Sequence, residues 1–336
     1  MSPKVTILMP VYNGAQYLRE AIESILCQTF KDFEFIIIDD GSTDNSYEIA
    51  KSYSDGRIKL FKNESNLRVA ETLNRGIKLA QGEYIARMDA DDISLPNRLA
   101  WQVKFLDSHT NIALVGSWVK IIGDTHEYVW KYESNPEKLR TKMFFNCSLA
   151  HPTVMMRKKI MLDNDFWYNN IGVEDYDLWV RVCEKIKMSN INKVLLLYRV
   201  NANQSSGTLS TFHAEGLNKV LTQQIKKIGI EPTSQAVATH RLASNYQPSM
   251  STAEIVESAG WFNKIEVANK QVGHYHKKVF SKIIANLWYG IIIRSINADG
   301  IWEIFISSPS THNLSVYQKL KFVTKFIINK IWRKRQ

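Results

Sequence analysis

Cysteine and long apolar runs are both scarce in this sequence, and each shortage excludes a class of protein. The three cysteines, Cys27, Cys147 and Cys183, have neither metal-binding nor redox spacing, and their odd number does not suggest a disulfide framework. The longest apolar runs, such as 287–293, are far shorter than the ~20 residues that cross a bilayer. The sequence also begins without the charged leader and cleavage site of a secretory signal. We therefore expect a cytoplasmic protein without a membrane span.

Two common phosphate-binding signatures are missing as well. The sequence contains neither the Gly-x-Gly-x-x-Gly fingerprint of dinucleotide sites nor the Gly-Lys-Ser/Thr of a P-loop. Instead, acidic residues follow two predicted buried strands, 33–38 and 84–88. The carboxyl ends of parallel strands form the edge of an α/β sheet where ligands bind. The acids expected at this edge are Asp39, Asp40, Asp89, Asp91 and Asp92.

The acids that follow the second of these strands repel one another unless a positive charge lies among them. Oxygen ligands without a nearby His or Cys suit a hard cation such as Mg²⁺ or Mn²⁺. We therefore regard Asp89 and Asp91 as candidate metal ligands, and we expect a bound diphosphate to be held by the metal and by a cation such as Arg68. The alternative is an acidic loop that only caps the next helix, predicted at 97–106 after Pro96.

The order of strands and helices predicts the architecture. An apolar, β-branched run at 5–9 is followed by a helical pattern, and this order recurs up to the strand at 84–88. Repeated β-α units indicate an α/β fold with a Rossmann-like, mostly parallel sheet flanked by helices. Further predicted strands lie at 57–61, 112–122, 150–156 and 191–198, and further helices at 69–80 and 173–182.

The last third of the chain has a different pattern. Residues 201–210 are polar and rich in serine, which is typical of a flexible segment. Apolar residues beyond this segment recur at near-helical spacing. We therefore predict an α/β domain at 1–206 and a mainly helical C-terminal extension at 207–336.

The end of the chain is basic and amphipathic. The net charge is +10, and no acidic residue follows Glu303. A basic helix with an apolar stripe and several aromatic residues is typical of an anchor that lies on an anionic membrane. The alternative is a helix packed on the catalytic domain with its charges in water. The predicted stripe consists of Val316, Leu320, Val323, Ile327 and Ile331, and the aromatic residues are Phe322, Phe326 and Trp332.

Four motifs together resemble those of glycosyltransferase family two, which has the GT-A fold. The motifs are Pro10-Val11-Tyr12-Asn13, Asp39-Asp40-Gly41-Ser42, Asp89-Ala90-Asp91-Asp92 and Glu174-Asp175. Each motif is weak alone, but their order and spacing over about residues 4–206 are specific. The resemblance implies an inverting, metal-dependent transferase of bacterial surface polysaccharide biosynthesis. Its donor would be a nucleotide-diphosphate sugar, with a UDP-sugar favoured, and its acceptor a saccharide or lipid-linked saccharide.

The resemblance also implies a role for individual residues. Asp175 is the expected general base, with Glu174 beside it. A member of this family often carries a His just after the Tyr-Arg pair near the end of the domain, where this chain has Asn201. Nucleotide-binding residues implied by the motifs are Pro10, Tyr12, Asn13, Asp40, Arg68 and Asp89. Of these, Tyr12 and Asp40 would contact the base, Arg68 the diphosphate and Asp89 the ribose region. The implied metal ligand is Asp91, assisted by Asp89, and the metal is Mn²⁺ or Mg²⁺.

Three functions other than sugar transfer are compatible with parts of the sequence. A nucleic-acid-binding protein would explain the charge of +10, but the most concentrated motifs are acidic, and such interfaces need basic residues without competing acids. A nucleotidyltransferase would need a Lys- and Gly-rich phosphate loop, and residues 10–14 contain no Lys. A non-catalytic sugar-nucleotide binder would share the same residues and stays open. Our prediction is a transferase that binds no nucleic acid and associates peripherally with the inner face of the plasma membrane.

Overall fold

Most of the strands lie where the apolar runs of the sequence predict them. The structure is a computed structural model, which describes residues 2–123, 126–200, 211–245 and 249–333. The segment 201–210, and with it Asn201, lies outside these described residues, as do the side chains of Ile331 and Trp332. The strands are β1 Val5–Val11, β2 Phe33–Asp39, β3 Ile58–Lys62, β4 Tyr84–Arg87, β5 Ile93–Ser94, β6 Ile112–Gly123, β7 Val129–Trp130, β8 Met155–Arg157 and β9 Lys187–Val200.

One sheet contains all of these strands, in the order β3-β2-β1-β4-β8-β6-β9-β5, with β7 paired to β6. The strands β3, β2, β1 and β4 are parallel, as the repeated β-α pattern predicts. The strand β8 runs antiparallel to both of its neighbours, β4 and β6. The long strands β6 and β9 are again parallel. The predicted fold class is confirmed, although the sheet is mixed beyond β4.

Two predictions of strands need correction. The run 150–156 was predicted as one strand, whereas His151–Thr153 form a 3₁₀ turn and only Met155–Arg157 form β8. Pro152 explains the difference, because its nitrogen cannot donate a hydrogen bond to a neighbouring strand. The short strands β5 and β7 were not predicted. Two residues are too few to show a periodic pattern, and these strands are defined only by their pairing with β9 and β6, respectively.

The hydrophobic core lies around the parallel strands β1 and β2. All seven residues of β2 are buried, and such continuous burial is typical of parallel strands covered on both faces. One side of the sheet packs against apolar residues of two helices, at 18–26 and 98–108, in a single cluster with the inward residues of β1 and β2. This packing holds the carboxyl ends of β1, β2 and β4 at one edge.

Helices account for most of the remaining described residues. Those up to residue 182 are α1 Leu18–Leu26, α2 Ser46–Lys51, α3 Arg68–Leu79, α4 Arg98–Ser108, α5 Pro136–Lys142, α6 Lys158–Asp163 and α7 Glu174–Val182. Those that follow β9 are α8 Thr211–Lys227, α9 Ser234–Ser244, α10 Thr252–Val272, α11 Lys277–Arg294, α12 Ile301–Ser307, α13 Pro309–His312 and α14 Val316–Arg333. None of the helices in the described part of the chain is long and apolar enough to cross a membrane.

The chain divides into two compact units. The first contains Met1–Arg140 and Cys147–Leu217, and the second contains Thr141–Asn146 and Asn218–Gln336. The division into a catalytic domain at 1–206 and a helical region at 207–336 stays a prediction. The compact units are defined by contacts within the chain, and these contacts do not test which part carries the activity. The hexapeptide Thr141–Asn146 belongs to the helical unit, a feature that the sequence pattern did not indicate.

The second unit has its own core, built on buried aromatic residues. His240 is fully buried, and its ring lies 4.8 Å from that of Phe144 and 5.9 Å from that of Trp261. Both ring nitrogens have partners, since Nε2 lies 3.0 Å from the carbonyl oxygen of Phe144 and Nδ1 accepts a hydrogen bond from the Trp261 indole. Burial lowers the pKa of His240 to about 4, so the ring is neutral at physiological pH. This histidine therefore stabilises the helical unit rather than forming a site.

A tight contact between Gly82 and β1 generates a prediction about stability. A Cβ atom at Gly82 would overlap the backbone nitrogen of Thr6 and lie 2.7 Å from the carbonyl carbon of Val5. We expect Gly82→Ala to lower the free energy of unfolding by about 1–3 kcal/mol, because backbone atoms of a central strand cannot move aside cheaply. Gly56→Ala is the matched control, since no atom lies within 4 Å of its added Cβ. Urea unfolding followed by circular dichroism measures both, and equal stability of the two variants would contradict the packing argument.

Candidate active site

Two loops at the carboxyl edge of the sheet are joined by Asn13. This residue has a left-handed φ of 50°, which Asn tolerates better than most residues. Its Oδ1 accepts a hydrogen bond of 2.8 Å from the backbone nitrogen of Thr43, and its own backbone nitrogen donates to Ser42 Oγ at 3.0 Å. Pro10 lies half-buried near the end of β1, and Tyr12 is 50% exposed. The loop after β1 therefore presents an open aromatic ring beside the loop after β2.

Asp40 connects the loop after β2 to the start of α3. The residue is only 3% exposed, and its Oδ1 accepts hydrogen bonds from Asn63 Nδ2 at 2.6 Å and from the backbone nitrogen of Leu67 at 2.9 Å. Its Oδ2 has no hydrogen bond to any described residue. One oxygen of this carboxylate thus fixes the local fold, and the other forms no hydrogen bond with a described residue. The neighbouring Asp39 is fully buried and accepts a bond from the Ser42 nitrogen at 3.3 Å.

Arg68 has an unusual backbone conformation at the first residue of α3. Its φ is 71°, a left-handed value that costs about 1–2 kcal/mol in a residue other than Gly. Its backbone nitrogen donates a hydrogen bond of 2.8 Å to Asn66 Oδ1, which helps to hold this conformation. Its guanidinium lies 4.5 Å above the ring of Phe212, a cation–π contact with the first turn of α8. Phe212 was missed in the sequence because no local pattern relates it to Arg68.

The three acids after β4 do lie together. One carboxylate oxygen from each of Asp89, Asp91 and Asp92 falls within a group whose members are all within 4.8 Å of one another. The positive charge that such a cluster requires is Arg87, the last residue of β4, which is only 5% exposed and forms an ion pair with Asp89. Sequence reasoning missed Arg87. The available signal was a cation inside a buried strand that ends in acids.

Burial and mutual repulsion perturb the titration of this cluster. Burial, followed by the negative charge of Asp89, raises the pKa of Asp91 to about 6. The same two causes, with the charge of Asp91 as a third, raise the pKa of Asp92 well above its ordinary range. Arg87 opposes both shifts but does not cancel them. The cluster therefore retains an affinity for positive charge that its own residues do not satisfy.

Asp92 does not cap the helix that follows it, contrary to the alternative considered above. Its Oδ1 accepts a hydrogen bond of 2.8 Å from the backbone nitrogen of Arg199, and the side chain of Arg199 donates to the Asp91 carbonyl at 2.8 Å. The guanidinium of Arg199 also pairs with Glu20 at 2.6 Å. Asp92 thus joins the loop after β4 to the end of β9. The N-cap position of α4 is taken by Asn97, whose side chain forms no capping bond.

The residues in this cluster fit a divalent cation. All candidate donors are carboxylate oxygens, which suit Mg²⁺ and Mn²⁺. Asp92 Oδ2 is buried without a hydrogen-bond partner among the described residues, which is costly for a carboxylate unless a ligand satisfies it. Asp89, Asp91 and Asp92 are therefore the residues able to hold such an ion.

Glu174 and Asp175 begin α7, where the helix dipole favours negative charge. Asp175 Oδ1 accepts a hydrogen bond of 2.7 Å from the Tyr176 nitrogen, and Oδ2 lies 3.9 Å from Cys147 Sγ. Burial, followed by the charge of Asp175, raises the pKa of Glu174 to about 7. Burial also raises the pKa of Asp175. The charge of Asp89 contributes to both shifts, so the acids of α7 lie within electrostatic range of the cluster after β4.

His151 does not act as a polar ligand at this edge. The residue is buried, its Nε2 lies 3.0 Å from the Tyr168 hydroxyl, and its ring meets Trp179 edge to face at 5.9 Å. Burial, followed by the charge of Arg87, holds its pKa well below the ordinary range. A neutral, hydrogen-bonded ring packed between aromatic groups is a structural histidine. Its position beneath the site supports α7 through Trp179.

Comparison with known proteins identifies the family of this chain. The family model described as Glycosyl transferase family 2 matches residues 6–166. A protein of Methanocaldococcus jannaschii named as an uncharacterized glycosyltransferase is 38% identical over 206 residues, which cover 59% of this chain and 71% of that protein. The O-antigen biosynthesis glycosyltransferase WbnJ of Escherichia coli is 32% identical over 233 residues, which cover 66% of this chain and 89% of WbnJ. The chain therefore belongs to glycosyl transferase family 2, and it is a glycosyltransferase.

Solved structures agree on the fold. The crystal structure of S. aureus TarS 1-349 in complex with UDP-GlcNAc superimposes with a TM-score of 0.57 and 20% sequence identity, covering 85% of this chain and 87% of TarS. This similarity confirms the predicted GT-A fold with its helical C-terminal region. The predicted family is confirmed as well, whereas the roles of individual residues stay predictions.

The charge balance at Asp89 and Asp91 predicts opposite effects for two neighbouring substitutions. Asp89→Asn removes the ion-pair partner of buried Arg87, so we expect a loss of about 3 kcal/mol of unfolding free energy. Asp91→Asn removes a carboxylate whose folded-state pKa of about 6 lies above its ordinary 3.8. Such a group destabilises the fold above pH 6 and not below pH 3.8. We expect a gain of about 1 kcal/mol at pH 8, reduced by partial exposure, that disappears near pH 4.

Thermal unfolding in EDTA at pH 4, 6 and 8 measures both effects. A loss of stability in Asp91→Asn at pH 8, or unchanged stability in Asp89→Asn, would refute the electrostatic description of the cluster.

Proposed function

We propose that this glycosyltransferase moves a sugar from a nucleotide-diphosphate donor, with a UDP-sugar favoured, to a saccharide or lipid-linked saccharide acceptor. The observation that carries the proposal is the electrostatic proximity of two acid groups, Asp89 and Asp91 after β4 and Glu174 and Asp175 at the start of α7. One group suits a cation and a diphosphate, and the other suits a proton acceptor. Binding of UDP-GlcNAc by TarS, which has the same fold, supports the choice of a UDP-sugar.

The donor nucleotide would bind at the loops after β1 and β2. The exposed ring of Tyr12 offers a surface for the base, and the free Oδ2 of Asp40 offers an acceptor for an N–H group of the base. Pro10 and Asn13 shape the loop, since Asn13 bonds to the loop that follows β2. A uracil presents one N–H donor beside its carbonyl groups, which matches a single free carboxylate oxygen.

The diphosphate would lie between Arg68 and the acids after β4. Arg68 supplies the positive charge on one side, and its stacking on Phe212 limits the orientations of the guanidinium. Asp91 and Asp89 would hold Mn²⁺ or Mg²⁺, with Asp89 also near the ribose. When bound, such an ion neutralises the charge that develops on the departing diphosphate.

Asp175 would accept the proton of the attacking hydroxyl group. As this proton leaves, the acceptor oxygen forms a bond to the anomeric carbon, and the bond from that carbon to the diphosphate oxygen breaks. The nucleoside diphosphate departs with the bonding electrons, so one displacement inverts the configuration. A raised pKa makes Asp175 a stronger base than an ordinary aspartate, and the bond from Tyr176 fixes its orientation. Glu174 is the neighbouring candidate for this role.

The biological setting proposed is surface polysaccharide biosynthesis at the inner face of the plasma membrane. The relative WbnJ is named for O-antigen biosynthesis, which supports a saccharide acceptor. The basic C-terminal helix α14 supports peripheral association with an anionic membrane.

Substitution of the proposed base tests the chemical step. Asp175→Asn removes the proton acceptor with little change in shape, so we expect turnover to fall by roughly 10²–10⁴ while donor affinity stays within a factor of two or so. Glu174→Gln is the matched control and should retain more activity than Asp175→Asn. Release of nucleoside diphosphate from a panel of nucleotide sugars, with saturating acceptor, measures turnover. Wild-type turnover in Asp175→Asn would rule out this base, and release of pyrophosphate would indicate a nucleotidyltransferase.

Substitution of the proposed metal ligand tests the donor site. We expect Asp91→Ala to weaken donor binding at least tenfold and to abolish its dependence on Mn²⁺, because the ion joins the carboxylate to the diphosphate. Asp92→Ala should affect donor binding less and stability more, since Asp92 anchors the backbone of Arg199. Titration calorimetry with donor and Mn²⁺, together with thermal unfolding, separates the two effects. Equal losses of donor binding in both variants would show that the ligand is misassigned.

A further inference from the structure

The helix α14 packs through its aromatic residues. The ring of Phe322 is fully buried and stacks on Phe305 at 4.1 Å, and the ring of Phe326 stacks on Trp302 at 5.1 Å. Phe322 and Phe326, two aromatic residues of the predicted anchor helix, therefore face α12. The orientation of α14 is fixed by these contacts, and the face opposite them points to solvent.

This solvent-facing side of α14 is apolar. Val316 is 73% exposed, Leu320 62%, Ile327 50% and Ile328 60%. At 100° per residue these side chains fall on one side of the helix, away from Phe322. We call these four residues the apolar stripe. It shares Val316, Leu320 and Ile327 with the stripe predicted from the sequence, whereas Val323 is only partly exposed. Exposed apolar residues are common singly, but an ordered row of them marks an interaction surface.

Lysines border the apolar stripe on both sides. On a helical wheel, Lys319 and Lys330 follow one edge of the stripe, and Lys321 and Lys325 follow the other. Lys321, Lys325 and Lys330 are exposed, Lys319 is partly exposed, and no acidic residue occurs in α14. Lysines in these positions extend their charged ends to the level of lipid headgroups when an apolar face enters the acyl boundary.

A cavity rich in lysine lies beside the N-terminal end of α14. It has a volume of about 490 Å³, and its lining includes Lys270, Lys277, Lys278 and Lys282. We call it the lysine pocket. Ser315 and Gln318, at the start of α14, form part of its wall. A hydrogen bond of 3.1 Å from Gln318 Nε2 to Asn286 Oδ1 joins this wall to α11.

The lysine pocket carries excess positive charge. Lys270 is neutralised by Glu266, whose carboxylate lies 3.1 Å from its ammonium group and also accepts a bond of 2.6 Å from Ser281. Lys277, Lys278 and Lys282 are exposed and form no ion pair with any described residue. No acidic side chain is among the described residues that line the pocket. Three like charges at one opening are unfavourable unless an anion or water screens them.

A second cavity beside α14 has the opposite character. It has a volume of about 530 Å³, and its lining includes the acids Asp299 and Glu303 together with Lys330. A phosphate group would meet repulsion there. The contrast locates anion binding at the N-terminal end of the stripe rather than along the whole helix.

We propose that the apolar stripe and the lysine pocket form one docking surface for an anionic phospholipid membrane. The lysine pocket binds the phosphate of a lipid headgroup, and the stripe enters the boundary between headgroups and acyl chains. A protein partner would match the stripe but would not require lysines on both edges and a lysine-lined pocket at the start of the helix. This proposal rests on the proposed function in one respect, because a lipid-linked acceptor would give the enzyme a reason to bind a membrane. It also names the residues that would contact the lipid headgroup.

Flotation of the full-length protein with vesicles tests the proposal. Vesicles of phosphatidylcholine alone are compared with vesicles that contain phosphatidylglycerol, at about 0.1 M salt. We expect the variant with Lys277→Gln, Lys278→Gln and Lys282→Gln to lose binding to the anionic vesicles by roughly tenfold or more, because each cation near the surface contributes to the affinity. The control variant, with the same loss of charge, carries Lys31→Gln, Lys104→Gln and Lys138→Gln on the first unit, and its binding should change by less than about twofold.

A second pair of variants tests the apolar stripe. Leu320→Ser with Ile327→Ser should lower binding to anionic vesicles by roughly tenfold, since buried apolar area sets the strength of interfacial binding. The control is Val256→Ser with Val267→Ser on α10, whose side chains are 52% and 44% exposed. Circular dichroism and thermal unfolding establish that each variant is folded.

Each result of these experiments either supports or contradicts the proposed docking surface. Losses confined to the pocket and stripe variants support the docking surface. Equal flotation of the pocket variant and its control, equal binding of wild type to neutral and anionic vesicles, or preferential binding to a soluble polyanion such as heparin would overturn it. Release of nucleoside diphosphate, measured in detergent-free buffer on the same variants, should be unchanged, so failure of the docking surface is distinguishable from failure of the transferase proposal.

Discussion

The buried guanidinium of Arg87 is the constraint on which the site depends. A charged group at the end of a covered strand is costly unless an opposite charge compensates it, and Asp89 provides that charge. The influence of Arg87 extends further, because its charge opposes the raised pKa values of Asp91, Asp92, Glu174 and Asp175. One cation therefore permits five carboxylates to share a small region. A site assembled around this cation remains acidic enough to bind another.

A second buried arginine holds this arrangement in place. Arg98 in α4 is fully buried, donates to the carbonyl oxygen of Arg87, and forms a 3.1 Å bond from Nε to Gln102. Burial, followed by repulsion from Arg87, lowers its pKa to about 9. The side-chain amide of Gln102 in turn donates to the carbonyl of Thr153 at 2.6 Å. These bonds join α4 to the turn before β8, so the end of β4 cannot shift without disturbing the neighbouring strand.

Antiparallel insertion of β8 is what separates this sheet from a simple repetition of β-α units. The strand β8 lies between β4 and β6, and it reverses the direction of the chain at the centre of the sheet. The loops after β1, β2 and β4, which we propose as the donor site, follow the carboxyl ends of parallel strands. For β2 and β4 the sequence predicted this edge from apolar runs that end in acids. The strands β5 and β8 have two and three residues, which is too short for a periodic signal. Their pairing partners, distant in sequence, define them.

The sequence by itself determined the family, the parallel half of the sheet and the acids at its edge, because burial of parallel strands and acids at their ends are local patterns. Only the tertiary structure decided which groups these acids contact, namely Arg199 for Asp92 and Arg87 for Asp89. It also decided that the guanidinium of Arg68 lies over the ring of Phe212. The tail shows the same limit. Apolar residues surround much of α14, so its sequence did not distinguish the packed face with Phe322 from the exposed face with Leu320. Contacts with α12 made that choice, because only a three-dimensional partner distinguishes two apolar faces of one helix.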